Sequence, residues 1–335
     1  MKPKDTRPKY ESFFTVFLQR FKKNRTGQIS FYFVIFMIVL AVAAPFIAND
    51  APVMLVSGGK VNFPGLFNPS EYLSTDWRNP SFTVDFAIWP IVRYSPVKSD
   101  LTKRVAPPSW DHPFGTDDQG MDVFARIVWG TRISISIGVI SAGLTFLIGS
   151  LIGAAAGYFG GAVDVFFSRI IEIMMCFPTF FLILSVLAFM PPSYYNIIIV
   201  IGLTGWTSIA RLVRGEVLKV KTLDYIRAAK VNGVKPFKII ARHILPNSIT
   251  PALISATFNV AGAILVESTL SFLGFGVQPP TPSWGAIIRV AYSYIQFDQG
   301  WWLSLYPALA IFLTVTAYNL LGQAIRDSAD PRLIE

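Results

Sequence analysis

The chain has little of what most catalytic or covalently stapled proteins rely on. Its 335 residues include one cysteine and two histidines. Cys176 alone forms no intrachain disulfide, and no cysteine cluster exists to ligate a metal. His112 and His243 lie far apart in the sequence, and the apolar stretches hold no nucleophile–base or metal-ligand set. An intramembrane enzyme is therefore the weakest reading. Charge is scarce too: 15% of residues are charged, against about a quarter in soluble domains. No G-x-x-x-x-G-K-[ST] phosphate loop occurs; Gly58-Gly59-Lys60-Val61 lacks the first glycine spacing and the hydroxyl residue. No metal and no cofactor is expected on this chain, and no catalytic use of ATP.

What is present is apolar. Hydrophobic residues make up 53% of the chain, and the mean hydropathy is positive. The formal net charge of +9 is concentrated in two places. Residues 1–28 hold eight Lys/Arg against Asp5 and Glu11, and residues 211–250 hold nine against Glu216 and Asp224. Basic clusters beside apolar spans fit the positive-inside rule better than nucleic-acid binding.

The pattern predicts an all-α membrane protein with six transmembrane helices, each of about 20 residues or more. The spans are expected at 29–48, 133–158, 163–190 (interrupted at Pro178), 194–210, 251–275 and 303–324. Residues 1–28 are a basic cytoplasmic tail. Phe13, Phe14, Phe17, Leu18 and Phe21 give it an amphipathic stretch suited to the membrane surface; a disordered leader is the equal alternative. Residues 49–132 form an extracytoplasmic insertion with eight basic and nine acidic residues, Arg132 included. Residues 133–324 form a five-helix core with a cytoplasmic loop at 212–250, and 325–335 a polar tail carrying Arg326, Asp327, Asp330, Pro331 and Arg332.

Several positions invite a role. Gly149, Gly153 and Gly157 recur every four residues, a small-residue stripe that lets helices close on one another. Arg169 and Glu172 are spaced to pair on one helix face. His112, near Asp111 and Asp117, reads as part of a Gly/Asp turn rather than a metal site. Glu267 lies about 24 Å into the fifth span, in the outer half of a core about 30 Å thick. It either lines a path and meets a cargo amine, or ties helices together. Residues 284–295 suit a short surface or re-entrant helix, and Trp301 and Trp302 the interface belt.

The most informative stretch is 222–251, TLDYIRAAKVNGVKPFKIIARHILPNSITP. Thr222 or Asp224 is placed to N-cap a short helix around Ala228 and Ala229. Gly233 stands where a left-handed residue is wanted. Pro236 opens a second helix with an apolar face of Phe237, Ile240, Ala241 and Ile244, which Pro246 ends. The alanine pair leaves one face flat for a partner.

This stretch resembles the coupling loop of ABC-transporter permeases: Glu-Ala-Ala, three residues, Gly, nine residues, Ile-x-Leu-Pro. Ala228, Ala229, Gly233, Leu245 and Pro246 match that outline, while Arg227 replaces the usual Glu and His243 the usual Ile. The resemblance assigns ATPase coupling to these residues together with Asp224 and Tyr225. The segment HPFGTDDQGMDVFARIVWGTRIS, starting at His112, resembles the one before the second span of peptide-type permeases, with Met121 where Arg is common. The group resembled is the C-type permease of dipeptide and oligopeptide systems, and IANDAPVMLV and NFPGLF in the insertion look like its Yej-type branch.

The resemblance implies a type I ABC importer in the bacterial inner membrane, with both termini cytoplasmic. It implies a second, different permease subunit, cytoplasmic ABC ATPase subunits that use ATP and Mg, and an extracytoplasmic substrate-binding protein. Its cargo would be peptides, including microcin C-type conjugates. Nickel or oligosaccharide cargo on the same scaffold stays open. A channel or secondary transporter would need more intramembrane ionisable residues than Arg169, Glu172 and Glu267.

Overall fold

In the computed structural model, residues 13–67, 75, 77, 80, 82–294 and 300–329 are described. The side chains of Phe13 and Phe14, and the tail residues Asp330, Pro331 and Arg332, lie outside what is described. Helix α1 (Phe13–Lys23) ends in Arg20, Lys22 and Lys23, and Phe17 stacks on Phe21. Asn24 then caps α2 (Arg25–Ile47) by accepting the Gly27 amide at 2.9 Å.

An insertion follows α2. Strands β1 (Met54–Ser57), β2 (Lys60–Asn62) and β3 (Phe86–Ile88) form an antiparallel sheet in the order β2-β1-β3. Leu55 is fully buried against Ala51 and Trp77. A four-residue helix, α3 (Pro64–Phe67), packs beside β1.

The insertion ends in a polar knot that fixes the start of α4 (Val123–Phe159). Asp122 caps this helix through the Ala125 amide at 2.7 Å and pairs with His112 Nδ1 at 2.8 Å. Asp117 accepts the Gln119 and Met121 amides, each at 2.9 Å, and faces Arg126 at 3.3 Å. Burial pushes both carboxyls above the ordinary aspartate value. The nearby acids and His112 are thus occupied in a turn. Trp302 Nε1 donates to the Thr116 carbonyl at 3.1 Å. Trp302 is therefore buried, not displayed at the interface belt as expected, while Trp301 is exposed.

Five helices are long and apolar enough to cross a membrane: α2, α4, α7 (Tyr194–Val220), α11 (Thr250–Leu273) and α13 (Trp301–Ala329). Helices α5 (Gly161–Cys176) and α6 (Thr179–Ala188) are apolar enough together for a sixth crossing, as one span bent by 82° at Phe177-Pro178. The expected break at Pro178 is a sharp fold of the chain. Two boundaries shift. The helix that carries the second span starts at Val123, ten residues before Ile133, and holds Arg126 paired with Asp117. The fourth runs to Val220, not Ala210, since charge ends an apolar stretch without ending a helix.

The tightest seam joins α4 to α7. Added methyls at Gly149 and Gly157 would sit 2.7 Å from the Trp206 carbonyl and 2.9 Å from Val217. At Gly153 the added carbon would collide with the Ala210 carbonyl. These glycines allow backbones to approach where a side chain would hold them apart. The short helix expected near 284–295 is α12 (Trp284–Tyr292). It is packed inside rather than on the surface: Trp284 is fully enclosed, and its Nε1 donates to the Ile127 carbonyl at 3.2 Å.

Candidate functional site

The chain between α7 and α11 folds as a short helical knot. Helix α8 (Asp224–Val231) begins after Leu223, and neither Thr222 nor Asp224 caps it. The Thr222 hydroxyl donates back to the Lys219 carbonyl at 2.7 Å, and Asp224 faces Arg227 at 3.9 Å. Ile226 is fully buried and joins Val213, Val217, Ile239 and Ile244 in one cluster. That cluster anchors the knot to the end of the bundle. Lys221 Nζ donates to the Gly157 carbonyl at 2.7 Å, and Lys230 stacks over the Tyr158 ring at 4.8 Å.

Gly233 has φ +71°, and nothing lies within 4 Å of where a side chain would begin. It is needed for its left-handed backbone, not for space. After it come α9 (Pro236–Ile239), a π-helical turn (Ile240–Ile244) and α10 (Leu245–Ser248). Pro246 therefore does not end the second helix. The Leu245 amide reaches back five residues to the Ile240 carbonyl. This wide turn also corrects the expected apolar face. Ile239 and Ile244, five apart, point inward, whereas Phe237 is 81% exposed and Ala241 is exposed as well. A three- or four-residue period cannot foresee a five-residue turn.

The knot's solvent side sets a few open apolar side chains among basic ones, Lys230, Lys235, Lys238 and Arg242. Val231 is 87% exposed, and Tyr225, Ala228 and Phe237 are open beside Arg227. His243 is half-buried, its ring 6.5 Å from that of Tyr225. Leu245 is half-buried and Pro246 exposed. The structure thus brings Asp224, Tyr225, Arg227, Ala228 and His243 to one small region.

Glu267 sits elsewhere and is fully enclosed. Ser271 donates to its Oε1 at 2.7 Å and Ser134, from α4, to its Oε2 at 3.1 Å. Ser268 completes that side at 3.4 Å, and the Ser283 hydroxyl lies 3.4 Å from that of Ser271. The carboxyl joins α4 and α11 to the loop before α12. Contact with cargo would require this packing to open. Arg169 and Glu172 do pair, at 2.5 Å, on an exposed face of α5.

One polar surface was not anticipated. Thr204, Ser208 and Arg211 of α7 and Asn259 of α11 line a groove of about 350 Å³, closed by Met174 and Phe177. The signal was present: 204, 208 and 211 follow helical spacing along one face of an otherwise apolar span.

Comparison with known proteins decides the family. Residues 149–335 match the family described as binding-protein-dependent transport system inner membrane component. Residues 12–64 match the N-terminal transmembrane domain of oligopeptide transport permease C. This chain belongs to the binding-protein-dependent transport permeases. It is 42% identical over 240 residues to the dipeptide transport system permease protein DppC of Bacillus subtilis strain 168, covering 72% of this chain and 75% of that one. To the probable D,D-dipeptide transport system permease protein DdpC of Escherichia coli K12 it is 38% identical over 247 residues, 74% of this chain and 82% of the relative. The oligopeptide permease OppC of Bacillus subtilis is 37% identical over 241 residues, 72% and 78% of the two chains. The permease is a multi-pass protein of the inner membrane, as its family description and apolar helices state together.

Proposed function

We propose that this permease forms half of the translocation path of an ATP-driven peptide importer and couples to a separate ATPase through the 222–251 knot. One observation carries the coupling. The knot is anchored by three enclosed isoleucines, Ile226, Ile239 and Ile244, yet leaves Tyr225, Val231 and Phe237 exposed. A rigid base under exposed apolar side chains set among basic ones is what a docking element needs to transmit a push. ATP and Mg would act on the partner ATPase, whose closure would move the knot and tilt the bundle between inward- and outward-open states.

Peptide cargo is supported by relatives named for dipeptides and oligopeptides. The knot and both termini then face the cytoplasm. The insertion faces outward, where a substrate-binding protein would deliver cargo. A second permease subunit supplies the other half of the path. The insertion's resemblance to the Yej-type branch narrows the cargo further, to peptides that include microcin C-type conjugates.

Co-purification from membranes with the neighbouring permease and ATPase, with and without Gly233→Leu, tests the coupling. The ATPase is expected to stay bound to the wild-type complex in detergent and to be lost from the variant. Stoichiometric binding that ignores the variant would place the contact elsewhere.

A further inference from the structure

The groove between α5, α7 and α11 is polar at a depth where its surroundings are not. From Arg211 to the end of α7 at Val220, and from the start of α11 at Thr250 to Asn259, the chain advances nine residues. Both side chains thus stand about 14 Å from the ends that hold the knot. Thr204 lies a further two turns in. On the other wall, Met174 and Phe177 flank the 82° break of the third span.

Among the described residues, neither Arg211 nor Asn259 has a hydrogen-bond or ion-pair partner. The contrast with Arg214 is direct. One turn further along α7, its guanidinium makes two hydrogen bonds to Asp164, at 2.5 and 2.7 Å. The ordinary reading of a span-end cation, paired or snorkelling, describes Arg214 and not Arg211. An unpaired guanidinium on a face of the bundle beside Thr204, Ser208 and Asn259 calls for an aqueous or protein-lined setting rather than lipid.

We propose that the groove is a carboxylate subsite on the translocation path. Arg211 receives the C-terminal carboxylate of a short peptide, and Asn259, Thr204 and Ser208 exchange hydrogen bonds with its backbone. This assignment rests on the peptide-importer reading and deepens it. The chemistry fits group for group: a guanidinium fork matches a carboxylate, and a carboxamide both donates and accepts, as a peptide unit requires. The thioether and ring of Met174 and Phe177 offer an adaptable wall for unlike side chains. The open side of the groove is where the second permease subunit completes the path.

The test uses the complete transporter in membranes. Ser208→Cys is placed in a Cys176→Ser background, and labelling by water-soluble anionic and cationic thiol reagents is timed. A groove open to water beside an unpaired Arg211 should react faster with the anionic reagent, by about tenfold. Arg211→Gln should bring the two rates together. A dipeptide with a free C terminus should slow labelling, and its C-terminal amide should not. Asn259→Cys repeats the measurement should the first pair of variants fail to assemble.

Labelling only by a lipid-soluble maleimide would overturn the proposal in favour of a lipid face. Labelling of the isolated chain but not of the assembled complex would overturn it in favour of a subunit interface. Equal protection by acid and amide would overturn the carboxylate assignment. ATP-driven dipeptide uptake by the unmodified transporter is measured alongside. Loss of that uptake would count against the importer reading, whereas the charge ratio of labelling reads the groove alone.

Discussion

Two regions of this permease are built on small residues, and they end in opposite states. Along the α4–α7 seam, Gly149, Gly153 and Gly157 are covered, each against backbone or a β-branched side chain of the facing helix. In the knot, Ala228 is exposed and Gly233 has nothing near its α-carbon. The first stripe has found its partner within the chain. The second leaves a flat surface with no partner in the chain. The seam glycines serve close approach, whereas Gly233 serves a left-handed backbone and Ala228 is the small residue the knot leaves open. In the seam the flanking residues are buried aliphatics; in the knot they are exposed Tyr225, Val231 and Phe237.

This contrast can be broken from the seam side first. Gly153→Leu should prevent accumulation of folded permease, because overpacking of about 1–3 kcal/mol or more meets a backbone carbonyl that cannot step aside. Detergent size-exclusion profiles and membrane yield report it, and a normal profile would refute the seam. Next, Glu267→Ala should destabilise by about 1–3 kcal/mol by leaving buried serine hydroxyls without their acceptor. Glu267→Gln should retain most of the stability, as read by thermal unfolding in detergent. Equal melting of the two variants would mean the serine nest contributes nothing.

From the knot side the effects on folding shrink while those on coupling do not. Ala229 is half-buried against the isoleucine cluster, so the clean variant is Ala228→Glu alone, which should leave yield near normal and release the ATPase or uncouple its hydrolysis from uptake. Full transport at normal expression would remove the knot from the mechanism. Smallest of all, Phe237→Ser should change stability by no more than about 0.5 kcal/mol, as for other exposed sites. It should still weaken ATPase retention in detergent. A large loss of stability instead would mean that Phe237 packs against the bundle.

Much of this architecture is legible in the sequence, and the gaps have more than one cause. Apolar length finds the five long helices and the bent α5–α6 pair, and four-residue glycine spacing points to a packed helix face. Helix ends and span ends differ where charge limits the apolar run: Arg132 lies inside α4, and Arg211 lies inside α7. Pro246 was read as a stop, yet the chain meets it with a wide π turn and continues as helix. Trp302 was read as an interface anchor, although its indole donates across the fold to the Thr116 carbonyl. The causes differ: a distant partner for Trp302, a nearby ion pair for Arg126, and a local change of helix type before Pro246. The polar stripe of the groove was the one local pattern present and unread.

The broken third span has a consequence for how the protein is made. Helix α5 has 16 residues and α6 has 10, so they reach about 24 and 15 Å. Neither is long enough to bridge a hydrocarbon core of about 30 Å. Between them, the backbone at Phe177 leaves the helical ladder, and such a stretch does not persist against lipid. During synthesis α5 can settle on α4, which is already made, but α6 has no stable resting place until α7 emerges to receive it. The order of emergence along the chain then becomes an order of insertion, with the fourth crossing acting as chaperone to the second half of the third.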